Sequence, residues 1–111
     1  MMGRLLYGTP PSAHPFDDRA LAHLQLVITA KLRRSEAFVL SIDADADGRH
    51  SELWLHPAIP LQYEYDAPVG PEVNAHWLRE LSAAANGRRG LHLVTEPTTE
   101  LDPSRARAVQ T

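Results

Sequence analysis

The sequence predicts an α+β fold in two layers, a mainly antiparallel sheet with two amphipathic helices on one face. Three observations support this prediction: two stretches carry apolar residues at helical spacing, several short stretches look like strands, and hairpin-length links join neighbouring strands. The predicted order is β-β-α-β-β-β-α-β. With 111 residues, 43% apolar and 23% charged, the chain has the size and composition of one globular domain.

The N-terminal part predicts two strands and the first helix. Residues 4–7 form a short strand, which a glycine and two prolines close. Residues 13–16 contain a proline, which lacks the N–H that a central strand needs, so this strand belongs at an edge. Asp17 or Asp18 caps the helix. The helix buries a stripe of apolar residues at three- and four-residue spacing: Leu21, Leu24, Ile28 and Leu32.

The middle of the chain predicts three strands. Residues 37–42 are a continuous apolar run, as expected for a central strand. Residues 52–56 and 61–65 alternate between apolar and polar side chains, and two prolines separate them. The alternation places Trp54 on the opposite face from Leu53 and Leu55.

The C-terminal part predicts the second helix over residues 72–86, with Val73, Trp77 and Leu81 directed inward. Asn86 and Gly87 end it, because glycine tolerates the left-handed conformation of a C-cap. Residues 91–94 are the last strand. From residue 96 to 111 proline, threonine, aspartate and arginine replace the apolar pattern. We therefore expect a single domain over residues 1–95 and a mobile tail over residues 96–111.

Four sequence segments resemble those of one known family: LLYG (residues 5–8), FDDRALAHL (16–24), KLRR (31–34) and WLHPAIPL (54–61). The resemblance runs from about residue 3 to residue 97. The family is a small actinobacterial domain of unknown function, whose members often carry the automatic label "ATP-dependent DNA ligase". The resemblance identifies a family without implying a chemistry.

The ligase label implies a lysine nucleophile in a K-x-D-G-x-R motif. In this sequence Asp45 stands at the position of that lysine and His50 at the position of the arginine. The only lysine of the chain is Lys31, which falls in the first predicted helix. A carboxylate cannot replace an amine as the nucleophile that forms a lysyl-adenylate. The sequence therefore predicts a domain without ligase catalysis.

The stretch DADADG places Asp43, Asp45 and Asp47 at alternate positions before Gly48, which is the spacing of calcium-binding loops. Trp54 stands where such a loop needs a bidentate glutamate, and strands rather than helices flank the stretch. Two interpretations remain open. The first is an acidic hairpin turn, and the second is a weak Ca²⁺ site made by the three aspartates. No other cofactor is expected.

Charge argues against a general nucleic-acid binder, since the net charge is −3. A local patch of basic side chains near the ends of the two helices would nevertheless contact phosphates if the fold brought them together: Lys31, Arg33, Arg34, Arg88 and Arg89. The alternative is that these residues are solvent-facing cations that complement the helix dipoles.

Two apolar side chains are predicted to face solvent. Leu26 points away from the buried stripe of the first helix, and Trp54 lies on the far face of its strand. Both are candidates for an interface with a protein partner or with a second copy in a homodimer.

No catalytic constellation is evident. His56 ends a predicted strand without a sequence partner that would complete a triad. The other five histidines lack a zinc-binding spacing: His14, His23, His50, His76 and His92.

The leading hypothesis is a cytoplasmic, non-enzymatic domain that acts by protein interaction or self-association. The second is an accessory module for nucleic acid or nucleotides. No apolar run approaches the roughly 20 residues of a membrane helix, so no membrane association is expected.

Overall fold

The computed structural model describes residues 2–43, 48–67 and 72–97. Within them the elements are β1 (Met2–Tyr7), β2 (Ser12–Asp17), α1 (Asp18–Arg33), β3 (Phe38–Ile42), β4 (Ser51–Leu55), β5 (Leu61–Glu64), α2 (Ala75–Ala85) and β6 (Leu91–His92). The α+β class and the predicted order of elements are confirmed. Neither described helix has the length and apolar character needed to cross a membrane.

The described strands form two sheets. Sheet A has the order β2-β1-β5 with antiparallel pairs. Sheet B has the order β4-β3-β6, in which β3 pairs antiparallel with β4 and parallel with β6. The predicted edge position of β2 and central position of β3 are confirmed. The division into two sheets did not follow from the sequence, because alternation indicates strands without indicating which of them pair.

Helix α1 begins where Asp17 supplies an N-cap. Its carboxylate accepts hydrogen bonds from the backbone N–H groups of Arg19 at 3.1 Å and Ala20 at 3.4 Å. The predicted stripe is confirmed at Leu21, Leu24 and Ile28, which are fully buried. Its fourth member, Leu32, is only partly buried. Each fully buried leucine or isoleucine contributes about 1.5–3 kcal/mol of hydrophobic stabilisation.

Helix α2 begins later than predicted, because its N-cap is Asn74. The Asn74 side-chain oxygen accepts the Trp77 backbone N–H at 3.1 Å. Val73 therefore precedes the helix and is 51% exposed, so the prediction that it points inward is wrong. The helix ends near the predicted residue, but Asn86 caps it in a right-handed conformation. The left-handed glycine of this turn is Gly90, with φ of 79°, rather than Gly87.

The described residues share one hydrophobic core. Helix α1 packs on β1 and β2, α2 packs on β3 and β6, and the helices pack on each other. The largest core side chains come from both sheets and both helices: Leu5, Phe16, Leu21, Leu24, Ile28, Phe38, Leu40, Leu55, Trp77, Leu81 and Leu91.

Candidate functional site

The two faces of sheet B differ in what covers them. On one face Phe38 pairs with Leu55 and joins the core beneath α2. On the other, the far face, Val39 pairs with Trp54 and Ser41 pairs with Glu52. Trp54 is 56% exposed on this face. An exposed indole next to a carboxylate is a surface suited to binding another molecule.

The backbone of β4 at Trp54 is already engaged. The Tyr7 hydroxyl, at the end of β1, donates a hydrogen bond to the Trp54 carbonyl oxygen. Beyond the strand, His56 is exposed, and its Nδ1 accepts the backbone N–H of Ala58 at 3.0 Å. The His56 ring therefore supports the turn after β4. A ligand on the far face would contact side chains rather than extend the sheet at this carbonyl.

Leu26 lies on the solvent side of α1 and is 47% exposed. Ala30 and Arg33 follow it by four and seven residues, so the three side chains share one helical face, and both are exposed. Arg33 forms no ion pair with any residue in the described ranges. Leu26 and Trp54 are thus accessible, as an interface requires, and their role in binding stays a prediction.

The calcium prediction concerns Asp43, Asp45 and Asp47. Asp43 is exposed at the end of β3, whereas Asp45 and Asp47 lie outside the described residues. Gly48 has φ of 78°, the left-handed conformation that a tight turn uses. Elsewhere in the described ranges, no group of three or more His, Asp or Glu side chains is arranged to hold a metal ion. The Ca²⁺ site therefore stays a prediction.

The basic residues that were predicted to contact phosphate lie in different environments. Lys31 is buried, and its ammonium donates to Asn86 Oδ1 at 2.9 Å, contacts Glu36 Oε1 at 2.9 Å and lies 5.4 Å from the centre of the Phe38 ring. Arg34 Nε lies 3.1 Å from Glu36 Oε2. Hydrogen bonds from Arg34 and then Lys31 lower the pKa of Glu36 to about 2. Lys31 and Arg34 are therefore partly neutralised within the fold.

Lys31 also lines a concavity of about 510 Å³ together with Arg88 and Arg89, which lie on the turn after α2. Arg33 and Arg34 do not line it. Neither Arg88 nor Arg89 forms an ion pair with a described residue. The remaining lining residues are Ala37, Phe38, Val39, Ser41, His50, Glu52, Ala85, Asn86, Gly87 and Gly90. The fold therefore brings together three of the five predicted basic residues.

A polar network that the sequence did not suggest joins the starts of both helices to the chain after β6. Arg19 makes two hydrogen bonds to Glu96, from Nε at 2.9 Å and from Nη2 at 2.7 Å. Asn74 Nδ2 donates to Glu96 Oε2 at 3.0 Å and to the Pro97 carbonyl at 3.2 Å. The bonds from Arg19 and then Asn74 lower the pKa of Glu96 to about 2. The start of the predicted tail is thus held, and residues 98–111 lie outside the described ranges.

His23 has a structural role next to this network. The ring Nδ1 donates to the Arg19 carbonyl at 2.9 Å, and Nε2 accepts the Asn74 backbone N–H at 3.0 Å. The ring also stacks on Trp77, with centroids 4.5 Å apart. Because both ring nitrogens are engaged, His23 has neither one left for a metal ion or for proton transfer.

A family model for a domain of unknown function, DUF7882, matches residues 2–96. The chain belongs to this family. The match includes every described strand and helix. It confirms the expected membership in a family of unknown function and does not bear on the ligase label. No curated protein and no solved structure matches the chain significantly.

Within this DUF7882 domain, Ser12 and His14 come closest to a nucleophile and base. Ser12 Oγ lies 2.9 Å from His14 Nε2 and 3.2 Å from the Tyr7 carbonyl. Desolvation by partial burial lowers the pKa of His14. No carboxylate in the described ranges contacts His14 to orient it, so the pair lacks the third member of a triad. The far face of sheet B and the basic concavity are the two surfaces best suited to binding another molecule.

Proposed function

We propose that this domain acts by self-association, in which the Leu26 face of α1 in one copy packs on the far face of sheet B in another. The observation that carries the proposal is Trp54, which is 56% exposed on a sheet face that α2 does not cover. Tryptophan is strongly enriched among the residues that dominate interface energetics. A second copy supplies a surface of complementary chemistry.

The complementarity has an apolar and a charged part. Leu26 and Ala30 provide a flat aliphatic surface for the indole of Trp54. Arg33, at the same helical face, provides a cation for Glu52, whose side chain is 60% exposed. Leu26 and Arg33 are separated by about 10 Å along the helix, and Trp54 and Glu52 by about 7 Å along the strand. The flexible arginine side chain spans the difference.

The proposed interface joins two different surfaces, so it is heterologous. When two copies pair in this way, each copy leaves one of its two surfaces unused. A further copy can bind there, so such contacts produce closed rings or open chains rather than being limited to a two-fold dimer. This property separates the proposal from pairing of identical patches, in which Trp54 would meet Trp54.

Sedimentation velocity over a range of protein concentrations tests the proposal. Wild-type protein should form species larger than a dimer as its concentration rises. Trp54→Ala and Leu26→Ala should each weaken association by roughly 30-fold, the effect of an interface residue worth about 2 kcal/mol. Val73→Ala, which removes another exposed aliphatic side chain, is the matched control and should leave association unchanged.

An equimolar mixture of the Trp54→Ala and Leu26→Ala proteins discriminates further. Each variant lacks a different face, so the mixture restores one intact interface and should yield heterodimers. A wild-type protein that is monomeric at millimolar concentration would contradict the proposal. A mixture that stays monomeric, or a Leu26→Ala protein that associates as wild type does, would contradict the head-to-tail arrangement.

A second candidate function is the accessory nucleic-acid or nucleotide module, which would give the ligase label a basis. The observation in its favour is the concavity lined by Lys31, Arg88 and Arg89. Against an extended nucleic-acid surface stands the net charge of −3. The size and charge of the concavity instead suit a small ligand.

A further inference from the structure

The concavity lies along β3, where three parts of the fold meet. Lys31 comes from the end of α1, Val39 and Ser41 come from β3, and the turn before β6 brings Arg88 and Arg89. Its volume of about 510 Å³ falls within the range of small-molecule sites. It includes neither Leu26 nor Trp54 and shares only Glu52 with the surfaces proposed for self-association.

The turn that carries the two arginines is fixed by its backbone. A Cβ added at Gly90 would lie 3.1 Å from Val39 Cβ and still closer to the Val39 carbonyl oxygen, so only glycine permits this approach. Ser41 Oγ donates to the Arg89 carbonyl at 3.4 Å. The arginine side chains therefore extend from a positioned backbone, which lowers the entropic cost of binding a ligand.

The charges of the concavity are unequally compensated. The Lys31 ammonium has three donors, of which Asn86 and Glu36 engage two. Arg88 and Arg89 have no ion-pair partner among the described residues. Two uncompensated guanidinium groups match a phosphate monoester, which carries a charge of about −1.5 to −2 and three acceptor oxygens near neutral pH. A carboxylate would bring only one negative charge.

Three carbonyl groups at the end of α2 are already engaged in hydrogen bonds. The Ser82 and Ala83 carbonyl oxygens accept the Asn86 N–H, and the Ala84 carbonyl accepts the Gly87 N–H at 3.0 Å. These bonds satisfy backbone acceptors that would otherwise point past the helix end.

The side of the concavity formed by β4 carries a carboxylate instead of basic groups. In sheet B, β4 and β6 flank β3 on opposite sides, so Glu52 lies across β3 from the turn that carries the arginines. Glu52 Oε2 is 3.1 Å from His50 Nε2. This carboxylate accepts hydrogen bonds from ligand hydroxyl groups and repels a second anion. The Val39 and Ala85 side chains supply apolar contact between the two sides.

We infer that the concavity binds a phosphate monoester of a small polyhydroxylated molecule, with the phosphate on Arg88, Arg89 and Lys31 and the hydroxyl groups directed to Glu52. Sugar phosphates and nucleoside monophosphates share this chemistry. The site binds its ligand without a covalent step.

Isothermal calorimetry on the full chain, at a protein concentration too low for self-association, tests this inference. The probes are ribose 5-phosphate, adenosine 5′-monophosphate, inorganic phosphate and ribose. Ribose 5-phosphate should bind more tightly than inorganic phosphate, and ribose should not bind detectably. The double variant Arg88→Ala, Arg89→Ala should weaken binding by at least about tenfold, since charge-assisted hydrogen bonds are lost. Arg79→Ala, which removes an exposed arginine from α2, should bind as wild type does.

Glu52→Gln separates specific recognition from charge attraction. It should strengthen binding of inorganic phosphate, because a repulsive carboxylate is removed, and it should reduce the advantage of ribose 5-phosphate over inorganic phosphate. The relative affinities of ribose 5-phosphate and adenosine 5′-monophosphate identify which class of ligand fits the volume. Absence of binding by all phosphorylated probes at millimolar concentration would overturn the inference. Equal losses in Arg79→Ala and in the double variant would also overturn it.

Discussion

Arginine side chains lie near both ends of α2, and the two ends use them differently. Near the N-terminal end, Arg19 binds Glu96 through two nitrogens, and its third contact reaches the Glu72 carbonyl at 3.5 Å. After the C-terminal end, Arg88 and Arg89 form no ion pair with a described residue. Arginine that joins segments distant in sequence contributes to the fold, whereas arginine without a partner on a positioned turn is available to a ligand.

The two ends differ in their side chains rather than in their backbone, because both have a fixed main chain. Asn74 caps α2 and also binds the Pro97 carbonyl at 3.2 Å. At the other end, Gly90 packs on Val39 and the Arg89 carbonyl accepts the Ser41 hydroxyl. Three variants separate the contribution of the backbone from that of the charges.

The largest effect is expected for Gly90→Ala. Its φ of 79° disfavours any side chain, and the new Cβ would meet the Val39 backbone. The left-handed conformation alone costs about 1–2 kcal/mol, and the clash adds to this cost. Gly48→Ala is the matched control, since Gly48 has a similar φ of 78° but no atom within 4 Å of an added Cβ. Urea unfolding should show a greater loss of stability for Gly90→Ala. Equal losses would contradict the close packing of this turn on β3.

A smaller, pH-dependent effect is expected for Glu96→Gln. The pKa of Glu96 lies at about 2 in the folded protein, below its ordinary value of 4.5. The ionised carboxylate therefore stabilises the fold above about pH 4.5, and this contribution is lost as the pH falls through 2. Because the side chains of Arg19 and Glu96 are 40% and 32% exposed, we expect a loss of about 1 kcal/mol or less at neutral pH.

The free energy of unfolding of Glu96→Gln should consequently fall less steeply than that of wild type between pH 4.5 and 2. Chemical denaturation at a series of pH values measures the difference. Arg19→Gln removes the largest cause of the lowered pKa of Glu96 and should reduce the slope in the same interval. A wild-type slope in Glu96→Gln would exclude the Arg19–Glu96 bond as a source of acid sensitivity.

The smallest effect on stability is expected for the double variant Arg88→Ala, Arg89→Ala. Exposed side chains without partners usually contribute within about 0.5 kcal/mol. The free energy of unfolding should therefore match that of wild type, while phosphate binding should weaken by at least about tenfold. A loss of stability comparable to that of Gly90→Ala would show that these arginines serve the fold, and the contrast with Arg19 would disappear.

The sequence predicts local features of this domain well. The spacing of Leu21, Leu24 and Ile28 identified the buried face of α1, because a helix repeats every 3.6 residues. The proline in β2 indicated an edge strand, and alternation along β4 placed Trp54 on the face opposite Leu55. Each of these predictions depends only on residues close together in the chain.

Features that depend on residues distant in the chain were harder to predict from the sequence. Arg19 and Glu96 are separated by 77 positions, and neither lies in a motif that indicates the other. Lys31 belonged to a basic cluster in the sequence, but tertiary packing buries it over Phe38. The start of α2 was predicted too early, because hydrophobic periodicity does not detect an N-cap. Asn74 provides this cap by accepting the Trp77 backbone N–H.

The parallel pairing of β6 with β3 has a consequence for synthesis of the chain. Strands β1 and β2 are adjacent in sequence, so both are available to pair once residue 17 has been synthesised, whereas Leu40 of β3 can acquire its neighbour Leu91 only after about 50 more residues. During translation, one side of β3 is therefore exposed to other nascent chains and to chaperones until the end of the domain emerges. The turn with Arg88 and Arg89 takes its position in that last step. A ligand held there would recognise only the finished domain and would stabilise it against reopening.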